Sequence, residues 1–329
     1  MKAIVIARPG GPEVLELRDV PQPAPGPDEV LVRVHAAGVN RADLLQRAGR
    51  YPAPPGVPAD IPGMEFSGEV ADTGARVKRW RKGDRVMGLV GGGAYAEFVV
   101  AHEGVVAAVP DSLSWTEAAA IPEAFITAHD ALWSQAELQP GERVLIHAVA
   151  SGVGLAAVQL ARARNAEPFG TSRTPDKIER ARAFGLVDGI ALGGDFSALG
   201  EATRRWTSGR GFNAVLDLVG GPYVAASVDA LASRGRLMLV GTVAGTHADI
   251  DLGKVLGKRL HLIGTVLRGR SLEEKVAAAA SFEREALPDF VAGTLRPILD
   301  AEFPLERASE AHAYIESNQS FGKAVIVVA

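Results

Sequence analysis

The sequence predicts an α/β protein in two parts: a largely β segment over roughly the first 120 residues, then a doubly wound parallel sheet of six strands. Three observations carry this. Short apolar runs alternate with helix-forming stretches from residue 143 to residue 264. A glycine turn separates the first of those runs from the helix after it. The earlier part of the chain instead shows strand-like runs divided by Pro/Gly turns.

In chain order, Lys2 to Ala7, Val14 to Val20 and Glu29 to Ala37 read as strands, with Pro21 to Pro27 as the turn before the third. Asn40 stands where a helix beginning near Arg41 would take its cap. Gly63 to Val70, Asp84 to Val90 and Tyr95 to Val109 are further strand-like pieces, and a helix is expected over Glu123 to His129. In the second part, Val144 to Ile146 form the first buried strand, and Phe169 to Thr171 end the second. Gly189 to Leu192, Asn213 to Leu218, Arg236 to Val240 and Leu260 to Gly264 complete six. Ala324 to Val328 is again strand-like and is expected to rejoin the first part, which would place a ligand cleft between the two domains.

Composition excludes several classes. The chain has 329 residues, 47% hydrophobic and 22% charged, as in a soluble globular enzyme. Its 35 basic and 39 acidic residues give a net charge of −4, which leaves no electrostatic footprint for nucleic acid and no polybasic membrane patch. It has no Cys, so disulfides, thiolate nucleophiles and Cys-ligated metals are excluded. No run of about 18 apolar residues could span a membrane. Met1 to Ala7 enters a strand pattern directly, with no targeting segment, so a cytoplasmic location is expected. No G-x-S-x-G is present for a serine hydrolase.

The most informative stretch is Arg143 to Arg162: strand, tight turn, helix. Its turn reads Ala148-x-Ala150-Ser151-Gly152-Val153-Gly154, not G-x-G-x-x-G. Small residues there let backbone amides approach a pyrophosphate, at the positive end of the helix that follows. With strands on both sides, this is read as a Rossmann dinucleotide site, and the reaction as hydride transfer. About 20 residues on, where NAD-binding sheets carry a carboxylate, the chain reads Thr171-Ser172-Arg173-Thr174-Pro175-Asp176-Lys177. Thr174 is a helix cap and Pro175 the first helical residue, which accounts for Asp176 as a dipole partner. Lys177 is a cation in the first turn, where the dipole disfavours it unless a phosphate binds there. Ser172, Arg173 and Lys177 are therefore assigned to a 2′-phosphate, and NADPH is favoured over NADH; the alternative is two solvated surface cations.

Three motifs occur in order: Ala36-Ala37-Gly38-Val39-Asn40-Arg41-Ala42-Asp43, Pro62-Gly63-Met64-Glu65-Phe66-Ser67-Gly68, and the turn at 148–154. Together they resemble the medium-chain dehydrogenase/reductase superfamily, in its zinc-independent quinone oxidoreductase (zeta-crystallin-like) branch. Asn40 to Arg47 with Gly49, Tyr51 and Pro52 is most similar to the tumour-suppressor-inducible quinone oxidoreductase group, and the resemblance runs on to Asn318 and Gly322-Lys323. It implies a GroES-like catalytic domain over 1–123 and 268–329 and a Rossmann domain over 124–267. It also implies NADPH-dependent reduction of a quinone without a metal, and a homodimer or tetramer, with the sixth Rossmann strand available to pair across a two-fold axis. Zinc-dependent members carry Cys and His ligands at the positions of Asn40 and Met64, neither of which is a credible zinc ligand. The Cys-rich zinc loop is missing too, since Met87 to Phe98 is short.

The resemblance further places Asn40 beside the nicotinamide and Tyr51 in the substrate pocket. Thr127, Gly241, Thr242, Leu267-Arg268, Asn318 and Lys323 fall at cofactor-contacting positions; a mid-helix Thr127 is otherwise ordinary packing, and Leu267-Arg268 and Asn318 are equally explained as loop residues. Gln46 departs from branch members that have a second Tyr nearby, which implies a more polar pocket. Ser151 replaces the branch's central Gly, its hydroxyl being able to bond a phosphate. No general-acid dyad is evident, and none is required if solvent protonates the reduced quinone. The rival activities are reduction of an enone, alkenal or enoyl thioester, and NADPH binding without catalysis.

Overall fold

The computed structural model describes residues 1–328. The chain forms two compact units. The first comprises Met1–Ile126 together with the chain from Leu267 onward, and the second is Thr127–Val266.

The first unit is built on strands β1 (Lys2–Ile6), β2 (Leu15–Asp19), β3 (Glu29–Gly38), β4 (Glu65–Thr73), β5 (Arg85–Leu89), β6 (Phe98–His102) and β7 (Val106–Ala108). The run Tyr95 to Val109, expected as one strand, is two. A 3-10 turn at Glu103–Val105 interrupts it, with the Gly104 amide donating to His102 Nδ1 at 3.0 Å. Beyond that turn the chain changes partners, since β6 pairs with β3 and β7 with β5.

The second unit holds β8 (Arg143–Ile146), β9 (Glu167–Ser172), β10 (Asp188–Ala191), β11 (Phe212–Asp217), β12 (Leu231–Leu239) and β13 (His261–Gly264). All are parallel, in the order β10-β9-β8-β11-β12-β13. This is the doubly wound sheet expected, with its switch point between β8 and β11. Val144, Leu145 and Ile146 are fully buried, as a strand covered on both faces must be. Leu145, Phe169, Trp206, Phe212, Val215 and Leu237 pack together in its core.

The chain then completes the first unit with β14 (Leu299–Pro304) and β15 (Lys323–Val327). The tail rejoins the first sheet as expected, in the order β14-β15-β3-β4-β5-β7. β3 is the hub. It pairs antiparallel with β15 (Val325↔Gly38), with β4 (Ala37↔Phe66) and with β6. These registers bring the end of β3, the start of β4 and the start of β15 to one place, so Asn40, Glu65 and Lys323 converge there. Gly38 permits this crowding, because a Cβ on it would lie 2.2 Å from Glu65 Oε1 and 2.7 Å from the Ala119 carbonyl. The helix Arg41–Arg47 follows, with Asn40 at its N-cap position. Buried Arg47 anchors it, donating to Gly10 O at 3.1 Å, pairing with Glu316 and meeting His312 Nδ1 at 3.3 Å. Among the described residues, no helix is long and apolar enough to cross a membrane.

Candidate active site

In the second unit the dinucleotide turn has the form the sequence implied. Ala148 adopts a left-handed conformation (φ 51°), which turns the chain sharply off β8. Ser151 N–H closes the turn on Ala148 O at 2.9 Å. Ser151 caps the helix Gly152–Ala163, its Oγ accepting from Gly154 N–H at 3.1 Å. That leaves the Ser151 hydroxyl proton to donate elsewhere. The first amides of the helix, at Gly152 and Val153, are those a helix leaves without internal partners. Gly154 could carry no side chain, since a Cβ would lie 2.6 Å from both Ala148 O and Val149 O. Here the turn presents backbone and no bulky side chain, a form that suits a pyrophosphate.

β9 lies beside β8 and runs two residues past its last pairing, Ile146↔Gly170. Ser172 is its buried last residue and Arg173 is exposed just beyond it. Thr174 occupies the N-cap position of the helix Pro175–Arg182, and Pro175 is its first residue. The Thr174 hydroxyl holds the Asp176 carboxyl below its usual range. Lys177 lies in the first turn of that helix. Gly241 and Thr242 follow β12, with Gly241 so close to Leu218 O that a Cβ would approach to 2.5 Å. Thr127 is buried.

In the first unit, three strand ends create a buried polar cluster that the sequence did not announce. Lys323 Nζ donates to Glu65 Oε1 at 2.6 Å, Asn40 Oδ1 at 2.6 Å and Val39 O at 3.0 Å. Asn40 Nδ2 donates to Glu65 Oε1 at 2.8 Å. Glu65 Oε2 accepts from the Glu123 amide at 2.8 Å. The side chain of Lys323 is 6% exposed and that of Glu65 is 0% exposed, so this is a buried, fully hydrogen-bonded ion pair. Asn40 sits at the cap position, with its carboxamide oriented by Lys323 and Glu65. Lys323, expected at a cofactor-contacting position, directs its three ammonium protons to Glu65, Asn40 and Val39 and so positions Asn40.

Asp43 lies behind this cluster. Its carboxylate accepts from Asn40 N–H at 2.8 Å, Gly63 N–H at 3.1 Å and the Tyr95 hydroxyl at 3.2 Å. Burial pushes it up to about 6 against those donors. His312, whose Nε2 meets the Tyr95 hydroxyl at 3.3 Å, is held down at about 3 by burial and then by Arg47.

Tyr51 is half-buried, and the Arg268 guanidinium lies over its ring at 5.0 Å. Arg268 is itself buried. It donates to Gln46 Oε1 at 2.5 Å and Gly91 O at 2.7 Å. Gln46 Nε2 in turn donates to Ala59 O at 3.0 Å. Gln46 thus anchors Arg268, which lies over the Tyr51 ring. Leu267 is buried next to Arg268, and Asn318 Oδ1 accepts from Arg41 at 2.7 Å. Glu65, Glu123 and Asp43 escaped sequence reasoning as site residues. Each belongs to a motif or segment visible in the sequence, but its role comes from partners distant along the chain.

A zinc ion does not fit at Asn40 and Met64. An ammonium already occupies the place of a cation between Asn40 and Glu65, and a thioether is a poor zinc donor.

Comparisons with known proteins agree with this architecture. The family described as the alcohol dehydrogenase GroES-like domain matches residues 26–111, and that described as zinc-binding dehydrogenase matches residues 152–282. A quinone oxidoreductase of Pseudomonas aeruginosa is 35% identical, covering 99% of this chain and 99% of its own. Among solved structures, Escherichia coli quinone oxidoreductase complexed with NADPH is 29% identical, with a TM-score of 0.89 over 100% of both chains. The CurK enoyl reductase is 28% identical, with a TM-score of 0.88 over 100% of this chain and 99% of that one. With a GroES-like unit, a Rossmann unit and full-length kinship to quinone oxidoreductases, the chain belongs to the medium-chain dehydrogenase/reductase family.

Proposed function

We propose that this protein is an NADPH-dependent quinone oxidoreductase that works without a metal. The observation that carries the reading is the Lys323–Asn40–Glu65 cluster, a hydrogen-bonded ammonium at the positions where zinc-dependent relatives would hold their ion. A site without a Lewis acid suits an acceptor that is already electrophilic, as a quinone is. When bound, NADPH supplies a hydride. The amides of Gly152 and Val153, with Ser151, would hold the pyrophosphate, and Ser172, Arg173 and Lys177 the 2′-phosphate. Tyr51, clamped by Arg268, offers a ring face for stacking and a hydroxyl for the acceptor's oxygen. The kinship to quinone oxidoreductases supports this reading, and the similarity to an enoyl reductase supports conjugated enones or enoyl thioesters as the second.

The reading extends to a homodimer. β13 forms one edge of its sheet, and Leu262 (42% exposed), Val266 (50%) and Leu256 (77%) leave apolar surface on and beside it.

Three outcomes are expected. NADPH absorbance should fall rapidly with an ortho- or para-quinone and slowly with an enone, and NADH should serve poorly. Preference for the enone would favour the second reading, and a flat trace with tight NADPH binding would favour a non-catalytic binder. Arg173→Ala combined with Lys177→Ala should weaken NADPH binding by about 1.5–3 kcal/mol per lost charged hydrogen bond and leave NADH binding unchanged, as read by calorimetry. Light scattering should give twice the chain mass, and Leu262→Lys with Leu256→Lys should bring it to the monomer value.

A further inference from the structure

His147 follows β8 and stands immediately before Ala148, the left-handed residue that turns the chain off the sheet. Its side chain is fully buried, and hydride transfer gives it no chemical role. Three elements hold it. Its backbone N–H donates to Leu216 O on β11 at 3.0 Å. Its Nδ1 meets the Thr171 hydroxyl of β9 at 2.8 Å. Its Nε2 meets the Ser227 hydroxyl, in the helix Pro222–Ala230, at 3.0 Å. The ring also packs edge-on against Tyr223, with centroids 5.0 Å apart.

Proton counting fixes the direction of each bond. Ser227 Oγ donates its one proton to Tyr223 O at 2.8 Å. Towards His147 it can only accept, so Nε2 carries the ring proton. Nδ1 is then a lone pair and accepts from Thr171. The chain runs one way: Thr171 O–H to Nδ1, Nε2–H to Ser227 Oγ, Ser227 O–H to Tyr223 O. It is complete only for a neutral imidazole in this one tautomer. Burial holds the ring down at about 3, which keeps it neutral.

We propose that His147 is a positioning residue for the cofactor, locking the turn at 148–154 in the form that receives the NADPH pyrophosphate. The proposal rests on the NADPH reading and is independent of the acceptor. Ala148 holds a backbone conformation that residues with a Cβ avoid, so it persists only while its neighbours are fixed. His147 fixes the residue before it. Thr171 fixes the residue after it, since its carbonyl accepts from Val149 N–H at 2.9 Å while its hydroxyl is bonded to His147. The turn then closes through Ser151 N–H on Ala148 O at 2.9 Å. Gly154 leaves no slack, its Cβ position being 2.6 Å from Ala148 O and Val149 O. A shift of His147 is therefore passed through Ala148 to the amides of Gly152 and Val153. An apolar side chain would fill the same space but leave the Thr171 hydroxyl without its acceptor and Ser227 without its donor.

The test compares wild type, His147→Leu, His147→Asn and Thr171→Val, with folding read by circular dichroism and NADPH affinity by calorimetry. His147→Leu and Thr171→Val should each weaken NADPH about tenfold. The two combined should lose no more than His147→Leu alone, because they break the same bond. An Asn carbonyl oxygen lies where Nδ1 did and keeps the acceptor for Thr171, so His147→Asn should bind NADPH more tightly than His147→Leu. The ligand 2′-phospho-ADP-ribose has the pyrophosphate but no nicotinamide, and should lose the same factor as NADPH. In turnover, KM for NADPH should rise while kcat stays within about twofold. Nitrogen NMR of the wild type should show the His147 proton on Nε2 throughout about pH 5 to 8, where an ordinary histidine titrates. A folded His147→Leu of lowered stability and wild-type NADPH affinity would mark a packing residue and overturn the proposal. A proton on Nδ1, or a ring that titrates in that range, overturns it as well. If His147→Leu does not fold, Thr171→Val, which exchanges only a hydroxyl for a methyl, decides by the same affinity. A wild type that binds no NADPH overturns the cofactor reading and this proposal with it.

Discussion

The ion pair between Lys323 and Glu65 is the constraint on which the first unit depends. Removing two charges from water costs several kcal/mol per ion, and the cost is recovered only when every donor and acceptor is matched. Here Lys323 has three acceptors, while Glu65 receives Lys323, Asn40 and the Glu123 amide. Because these residues come from the ends of β15, β3 and β4, satisfying the pair also fixes the register of three strands. The orientation of the Asn40 carboxamide follows, since its oxygen must face the ammonium and its nitrogen the carboxylate. Burial, and then the nearby Glu65 carboxylate, push the Glu123 carboxyl up to about 8.

The second unit solves a different problem by different means. Its turn at Ala148 to Gly154 needs few side chains if, as proposed, backbone amides and a helix end receive the pyrophosphate. A left-handed Ala148 and a Gly154 with no room for a Cβ are the costs of that close approach. At the next strand end Ser172, Arg173 and Lys177 stand in place of a carboxylate, which supports the proposed preference for NADPH.

What could be read from the sequence follows from how local each signal is. The six parallel strands were legible because each is a short apolar run bounded by turn residues, and the turn at 148–154 because it lies within one strand–helix step. Asn40 was legible as a cap position for the same reason. The role of Lys323 was not, because its partners are 258 and 283 residues away in the chain and only the sheet register joins them. Arg268 and Gln46, 222 residues apart, are a similar case. The break within Tyr95 to Val109 was missed because both halves have strand composition, and the change of partner at Gly104 is a tertiary fact.

The most direct measurement is a double-mutant cycle on the central pair, using Lys323→Met, Glu65→Gln and both together, with stability read by urea denaturation and turnover by NADPH oxidation with a quinone. Each single change strands a buried charge or its partners, and should cost about 3–5 kcal/mol and most of the turnover. The double variant should be markedly more stable than the sum of the single losses, while its turnover stays low because Asn40 is no longer oriented. Strictly additive small losses, or a Lys323→Met protein as stable and as active as the wild type, would contradict the account.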